Sequence, residues 1–121
     1  MIYIEYEKLK SNYYEAQKRY DELLSEKSSV LVQKGYHRQL KSVNRKLTEC
    51  QSILIERERL LSLKLDELAR SNDPTDRVYY LRYIERLKVK KISLIVHYSD
   101  TQVYRILGTI NETLNSQQGR K

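Results

Sequence analysis

The stretch Asn72-Asp73-Pro74-Thr75-Asp76 divides the sequence into two parts of different helical character. Before it, apolar residues recur over long segments, and after it they recur over short ones. Asp73 is a good N-cap residue, Pro74 suits the first position of a helix, and Asp76 places negative charge in the first turn. We therefore predict that a new helix begins at Pro74 and that a module boundary lies between residues 72 and 73.

Residues 1–72 are predicted to form an antiparallel helical hairpin of coiled-coil type. In residues 2–33 and again in 36–71, apolar residues recur with alternating spacings of four and three, the heptad rule of helices that pack on helices. The first stripe is Ile2, Tyr6, Leu9, Tyr13, Ala16, Tyr20 and Leu23. The second is Tyr36, Leu40, Val43, Leu47, Cys50, Leu54, Leu61 and Leu68. Gly35, a natural helix terminator between the stripes, favours a hairpin over the alternative in which each helix pairs with its copy in a dimer.

The second stripe departs from a simple repeat in two ways. Arg57 and Lys64 occupy positions where the repeat expects apolar residues. Toward the C-terminal half, the stripe is widened by Ile53, Leu60 and Leu65. The widening predicts a second packing surface, and a thin hairpin can still dimerise to cover its exposed apolar edge.

Residues 73–121 are predicted to contain three short amphipathic helices. Their apolar stripes are Val78, Leu81, Ile84 and Leu87, then Val89, Ile92 and Val96, then Val103, Ile106, Ile110 and Leu114. Ser99 is predicted to cap the last helix, and His97 fills a position that needs a left-handed backbone. A short helix, a tight turn and a second amphipathic helix are what a helix-turn-helix requires. The predicted fold class is therefore all-α, with the hairpin followed by a C-terminal helix-turn-helix.

The charge of the chain favours an acidic partner. The net charge is +7 and the pI about 9.5. After Pro74, nine basic and four acidic residues contribute +5 of that total. DNA phosphates are expected to contact Lys88, Lys90 and Lys91, where basic residues are densest. The plainer interpretation is that these lysines form a solvated face without a ligand.

The polar face of the last helix supplies residues that can read bases. Gln102 can pair with the edge of adenine, and Arg105 can pair with guanine or bind a phosphate. Residues near the N-terminal end of this helix are expected to reach the bases first. The full set of predicted DNA-contacting residues is Lys88, Lys90, Lys91, Ser99, Asp100, Thr101, Gln102, Tyr104 and Arg105.

Two stretches resemble a known family. Tyr98-Ser99-Asp100-Thr101-Gln102-Val103-Tyr104-Arg105-Ile106 is similar to the recognition helix of sigma factor region 4, and Val78-Tyr79-Tyr80-Leu81-Arg82-Tyr83-Ile84-Glu85 resembles the helix before that motif. The likeness is closest to the region 4-like transcriptional regulators of phages of Gram-positive bacteria, which activate late genes. It covers residues 73–114, and over the hairpin it is one of architecture only. Ser93 replaces the family's Ala and His97 its Gly, which predicts a looser turn.

The resemblance implies a phage or prophage late-gene activator. Such a protein binds double-stranded promoter DNA through its helix-turn-helix and acts through host RNA polymerase in the bacterial cytoplasm, without a cofactor. The hairpin is expected to supply a homodimer contact or a polymerase contact. The competing hypothesis is a helical interaction module that binds RNA polymerase or a host regulator without reading DNA.

Other classes of protein find no support in the sequence. No apolar run approaches the roughly 18 residues that a membrane span needs, and Met1-Ile2-Tyr3-Ile4-Glu5 does not read as a signal peptide. The single Cys50 rules out an intrachain disulfide, which favours the cytosol. His37 and His97 lie in different modules and predict no metal site. No enzyme is predicted, because the chain has neither a phosphate-binding glycine loop nor a nucleophile elbow.

Overall fold

The computed structural model describes residues 1–31 and 37–118, which are all-helical apart from short connections. Five α-helices follow one another in this part of the chain, with a π-helical segment, Tyr80–Ile84, that continues the third. The helices are α1 (Ile2–Leu31), α2 (His37–Ala69), α3 (Pro74–Tyr79), α4 (Val89–Val96) and α5 (Asp100–Gln118). The predicted terminator Gly35 and the polar tail 119–121 lie outside the described residues.

The two long helices form the predicted antiparallel pair. Because one stripe of each helix faces the other, the buried residues follow the heptad spacing. One core cluster consists of Leu23, Val30, Val43, Leu47 and Cys50, with Tyr20 and Leu40 packed against it. Cys50 is a free thiol that is buried here as a small apolar side chain. The pair thus has a core one row of side chains deep.

The two charged residues within the second stripe have partners on α1. The guanidinium of Arg57 donates to the backbone carbonyl of Asn12 at 2.7 Å. The ammonium of Lys64 lies 3.2 Å from the Glu5 carboxylate and 2.9 Å from that of Glu67. These hydrogen bonds, to Glu67 first and then to Glu5, raise the pKa of Lys64. Both positions therefore join helices through hydrogen bonds where the repeat expects apolar packing.

Packing divides the chain into two compact units. The hairpin unit is Lys8–Leu63. The composite unit combines Met1–Glu7 with Lys64–Lys121. The first residues of α1 and the end of α2 therefore pack with the shorter helices, although both precede the predicted boundary at residue 72 in the chain.

The start of α3 is built as the sequence predicts. Asp73 has an extended backbone, and its carboxylate accepts hydrogen bonds from the backbone N–H groups of Thr75 at 2.9 Å and Asp76 at 3.2 Å. Pro74 occupies the first turn, where its missing N–H needs no partner. An N-cap of this kind stabilises a helix by about 1 kcal/mol.

Asp76 has a role that the sequence reasoning did not predict. It is 2% exposed, and its carboxylate accepts hydrogen bonds from the backbone N–H groups of Tyr3 at 3.0 Å and Ile2 at 3.4 Å. The hydroxyl of Ser71 donates to the same carboxylate at 3.1 Å. Asp76 therefore caps the N-terminus of α1, which holds the first turn of the chain against α3.

Tyrosines fill much of the core of the composite unit. The ring of Tyr79 stacks on Tyr3 with centroids 5.1 Å apart and on Tyr83 at 4.9 Å, while Tyr6 meets it edge-on at 6.3 Å. Its hydroxyl donates to the Glu7 carboxylate. Burial, with this hydrogen bond second, raises the pKa of Tyr79 well above its usual range. Tyr3 is only 1% exposed. The predicted stripe had placed its neighbour Ile2 in the core, and Ile2 is half-buried.

Candidate nucleic-acid interface

Helices α4 and α5 are fixed by one buried face each. The buried residues are Val89, Ile92 and Val96 on α4 and Val103, Leu107 and Ile110 on α5. Ile106 was predicted in the core, but it is half-buried and Leu107 takes the buried position instead. On the π-helical segment, the Tyr83 hydroxyl donates to the Asn111 side chain at 2.6 Å, which adds a polar tie to α5. The remaining faces of α4 and α5 are exposed.

The connection between α4 and α5 is closed by His97 and Ser93. His97 ends α4 in the left-handed conformation, with φ 61° and ψ 37°, as its position in the sequence predicts. The Ser93 hydroxyl donates to the carbonyl of Tyr98 at 2.6 Å, and the Ser93 carbonyl accepts from the Tyr98 N–H at 3.3 Å. Ser93 therefore adds a hydrogen bond to the turn, and the expectation that it loosens the turn stays a prediction.

Three predicted site residues surround the N-terminus of α4. Lys88 is the N-cap residue and makes no side-chain capping hydrogen bond, and Lys90 and Lys91 follow in the first turn. All three are exposed, and the first turn holds no acidic residue. A helix N-terminus carries partial positive charge, so three lysines there disfavour the helix by a few tenths of a kcal/mol or more. The same arrangement favours an anion strongly.

The N-terminus of α5 is capped by a reciprocal pair. The Ser99 hydroxyl accepts the backbone N–H of Gln102 at 3.2 Å, as predicted. In return, the side-chain oxygen of Gln102 accepts the backbone N–H of Ser99 at 3.0 Å, which completes a capping box. Gln102 thus keeps its amide N–H groups for an external partner, while its oxygen is used within the protein.

The remaining predicted site residues lie on the exposed side of α5. Asp100, Thr101, Tyr104 and Arg105 are all exposed, Tyr104 to 63%. Thr101, Tyr104 and Arg105 share one face because they are three and four residues apart. Gly108 continues this face by one turn, and a Cβ there would meet no atom within 4 Å. The face therefore has few protrusions beyond Tyr104 and Arg105.

Two features of this region were missed by the sequence reasoning. Leu94 is 72% exposed and Ile95 is 37% exposed, on the side of α4 that carries Lys90 and Lys91. The sequence signal for their exposure was that both residues lie off the predicted apolar stripe of α4. Arg86 has a φ of 59° in the bend before α4, a conformation that side chains rarely adopt. The adjacent Arg82 guanidinium donates to the carbonyl of Leu87 at 3.1 Å and ties this bend together.

Among residues 1–31 and 37–118, no cluster of three or more His, Cys, Asp or Glu side chains could hold a metal ion. Nor does any helix in these ranges combine the length and apolar character needed to cross a membrane.

No protein-family model, curated protein or solved structure matches this chain.

Proposed function

We propose that this protein is a DNA-binding transcriptional regulator in which α4, the turn at His97 and α5 act as a helix-turn-helix of sigma factor region 4 type. In this arrangement α5 enters the major groove and α4 lies across the phosphate backbone. The resemblance of residues 73–114 to region 4-like phage regulators supports this docking. So does the spacing of the buried faces, which leaves the polar side of α5 outward.

The observation that carries the proposal is the cluster of Lys88, Lys90 and Lys91 at the uncapped N-terminus of α4. Within the protein this placement is unfavourable, because like charge accumulates where the helix dipole is already positive. A DNA phosphate reverses the sign of the effect, since it accepts from the free backbone N–H groups and pairs with the lysines. A bound anion at this end of α4 would therefore stabilise the folded chain.

The outward face of α5 supplies candidates for reading bases. Arg105 can donate two hydrogen bonds to guanine, and Tyr104 can contact a thymine methyl group. Gln102 can donate to a base acceptor without giving up the capping box, whereas bidentate pairing with adenine requires its oxygen to leave Ser99. Asp100, Thr101 and Ser99 lie at the end of α5 that enters the groove first.

We further propose that the protein acts through RNA polymerase of a bacterial host, as a phage or prophage late-gene activator. This step rests on the family resemblance alone. Its place of action is then the bacterial cytoplasm, where both promoter and polymerase are found.

The proposal can be tested by selecting duplexes from a random DNA pool with the full chain. A sequence motif should be enriched, and the preference at one or two positions should be lost in Arg105→Ala. Loss of a bidentate guanine contact corresponds to about 1–3 kcal/mol of discrimination. Arg45→Ala on α2, which removes the same charge from an exposed position on another helix, is the matched control and should enrich the same motif. Failure of the wild-type chain to enrich any motif, at low as well as physiological salt, would rule the proposal out.

A second candidate function is favoured by Leu94. An apolar side chain that is 72% exposed, with Ile95 beside it, is typical of a surface that binds another protein. In this alternative the chain binds RNA polymerase or a host regulator without reading DNA. Purified bacterial RNA polymerase should then be retained by the wild-type chain and released by Leu94→Ser, while the DNA selection yields no motif.

A further inference from the structure

Gly108 lies in the middle of α5, where glycine weakens a helix. It does not end the helix, which continues to Gln118. A Cβ atom at this position would meet no atom of the described residues within 4 Å, so close packing within the chain does not require a glycine there. Glycine loses more backbone freedom on folding than alanine does, and so disfavours a helix interior. Gly108 therefore lowers the stability of α5 with no compensating contact among the described residues.

Gly108 belongs to the face of α5 that the proposed function directs into DNA. It follows Thr101, Tyr104 and Arg105 by seven, four and three residues, which places all four on one side of the helix. The residues of a homeodomain that read the major groove have the same spacing along their helix. Gly108 thus occupies a fourth position that faces the groove, but it places no side chain there.

The dimensions of the major groove give this missing side chain a use. The groove is about 12 Å wide, and an α-helix with its side chains is about 10–12 Å across, so the two fit with little clearance. A position without a side chain lets the helix backbone lie nearer to the bases. Glycine is the usual residue where a backbone approaches a ligand closely.

The surroundings of Gly108 favour DNA over a protein as the partner. Among the exposed side chains in the described part of α5, only that of Tyr104 is large and apolar, whereas protein interfaces centre on clusters of such residues. Arg105, nearly one turn before Gly108, supplies the positive charge that attracts DNA. Glu112, four residues after Gly108, is exposed and repels phosphate. The contact with DNA is therefore expected to end within about one turn of Gly108.

We propose that Gly108 is the point where the backbone of α5 approaches DNA most closely, and that its missing side chain sets how deeply α5 lies in the major groove. This inference rests on the proposed function and adds to it a residue whose role is steric. A side chain at this position holds α5 away from the bases and lengthens the contacts of Thr101, Tyr104 and Arg105.

The experiment measures the DNA affinity and the melting temperature of the same variants of the full chain. The probe is a fluorescein-labelled duplex that carries the motif enriched by the wild-type chain from the random DNA pool. Gly108→Ala should raise the melting temperature by about 4 °C, because alanine favours the helix. The same variant should weaken DNA binding by about fivefold, and Gly108→Leu by about 100-fold, as expected for overpacking of a close contact.

Asn115→Ala is the matched control. Asn115 is exposed on the same side of α5, seven residues beyond Gly108, and lies past the end of the proposed contact. Alanine favours the helix over asparagine, so this variant should also raise the melting temperature. It should bind the probe as tightly as the wild-type chain does, which separates a steric effect on DNA binding from an effect of helix stability.

The results distinguish failure of this inference from failure of the proposed function. If the wild-type chain enriches no motif, both fail. If the wild-type chain binds the probe and Gly108→Leu binds it equally well, only the inference about Gly108 fails. If the Gly108 variants keep their DNA affinity but no longer retain bacterial RNA polymerase, this face contacts a protein and the inference is likewise overturned.

Discussion

The hairpin unit and the composite unit of this protein are stabilised in different ways. In the composite unit, Tyr79, Ile92, Val103 and Ile110 have no exposed surface, and the buried carboxylate of Asp76 on α3 accepts two hydrogen bonds from α1 and one from Ser71. In the hairpin unit, the described core residues keep 3–8% exposure. Large apolar side chains remain accessible in both units, for example Ile53 and Leu63 in the hairpin unit and Leu94 in the composite unit.

The two units differ in how strictly the packing of their helices is specified. A buried and fully bonded polar group accepts only one packing of the helices around it, because any other leaves it unpaired. A heptad stripe specifies that two helices meet but sets their partner less strictly. We therefore expect the packing of the helices to be specified more strictly in the composite unit than in the hairpin unit.

Removal of the buried carboxylate should have the largest effect. Asp76→Ala is expected to lower the free energy of unfolding by about 3 kcal/mol, because it leaves the N–H groups of Tyr3 and Ile2 and the Ser71 hydroxyl without their acceptor. Asp73→Ala, which removes an exposed cap, should lower it by about 1 kcal/mol. Urea denaturation followed by circular dichroism measures both. Equal losses would show that Asp76 is only another cap of α3.

Alkaline pH should destabilise the composite unit through Tyr79. Its pKa is raised by burial in the folded chain, so the full stabilisation is present below the unfolded pKa of about 10 and is lost as the pH rises above that value. Tyr79→Phe should lower stability at neutral pH by about 1 kcal/mol, through loss of the bond to Glu7, yet show a shallower decline above pH 10. Urea midpoints at both pH values measure this. Tyr14→Phe, at an exposed position, should reproduce the wild-type decline.

Substitutions in the turn between α4 and α5 should change the free energy of unfolding least. His97→Gly is expected to raise the free energy of unfolding by about 0.5–1 kcal/mol, because glycine adopts the left-handed conformation without strain. Ser93→Ala should lower it by about 1 kcal/mol, since the hydroxyl bond to the Tyr98 carbonyl is lost. Thermal denaturation can compare the two. A stabilising Ser93→Ala would instead support the expectation that Ser93 loosens the turn.

Features with local causes were predictable from the sequence. The caps at Asp73 and Ser99, the left-handed His97 and the antiparallel pair of long helices follow from short-range chemistry or from spacing, and each is confirmed. The contact of Asp76 with Tyr3 was not predictable, because it joins residues 73 positions apart and nothing local distinguishes it from an ordinary first-turn charge.

The candidate site was likewise predictable only in part from the sequence. Its residues were identified from the polar face of α5 and the lysines of α4, and all nine are exposed. The use of the Gln102 oxygen in a capping box was overlooked, although the Ser-x-x-Gln spacing is visible in the sequence. Burial of Leu107 in place of Ile106 depends on how α5 is rotated against its neighbours, which periodicity fixes only to within one position.

The salt dependence of DNA affinity tests the central claim most directly. Fluorescence anisotropy should give a logarithmic plot of binding constant against salt with a steep negative slope, and replacement of Lys88, Lys90 and Lys91 by Gln should reduce that slope by about 2–3. This result would place DNA phosphates at the N-terminus of α4. Binding of the wild-type chain with an unchanged slope in the triple variant would contradict the account.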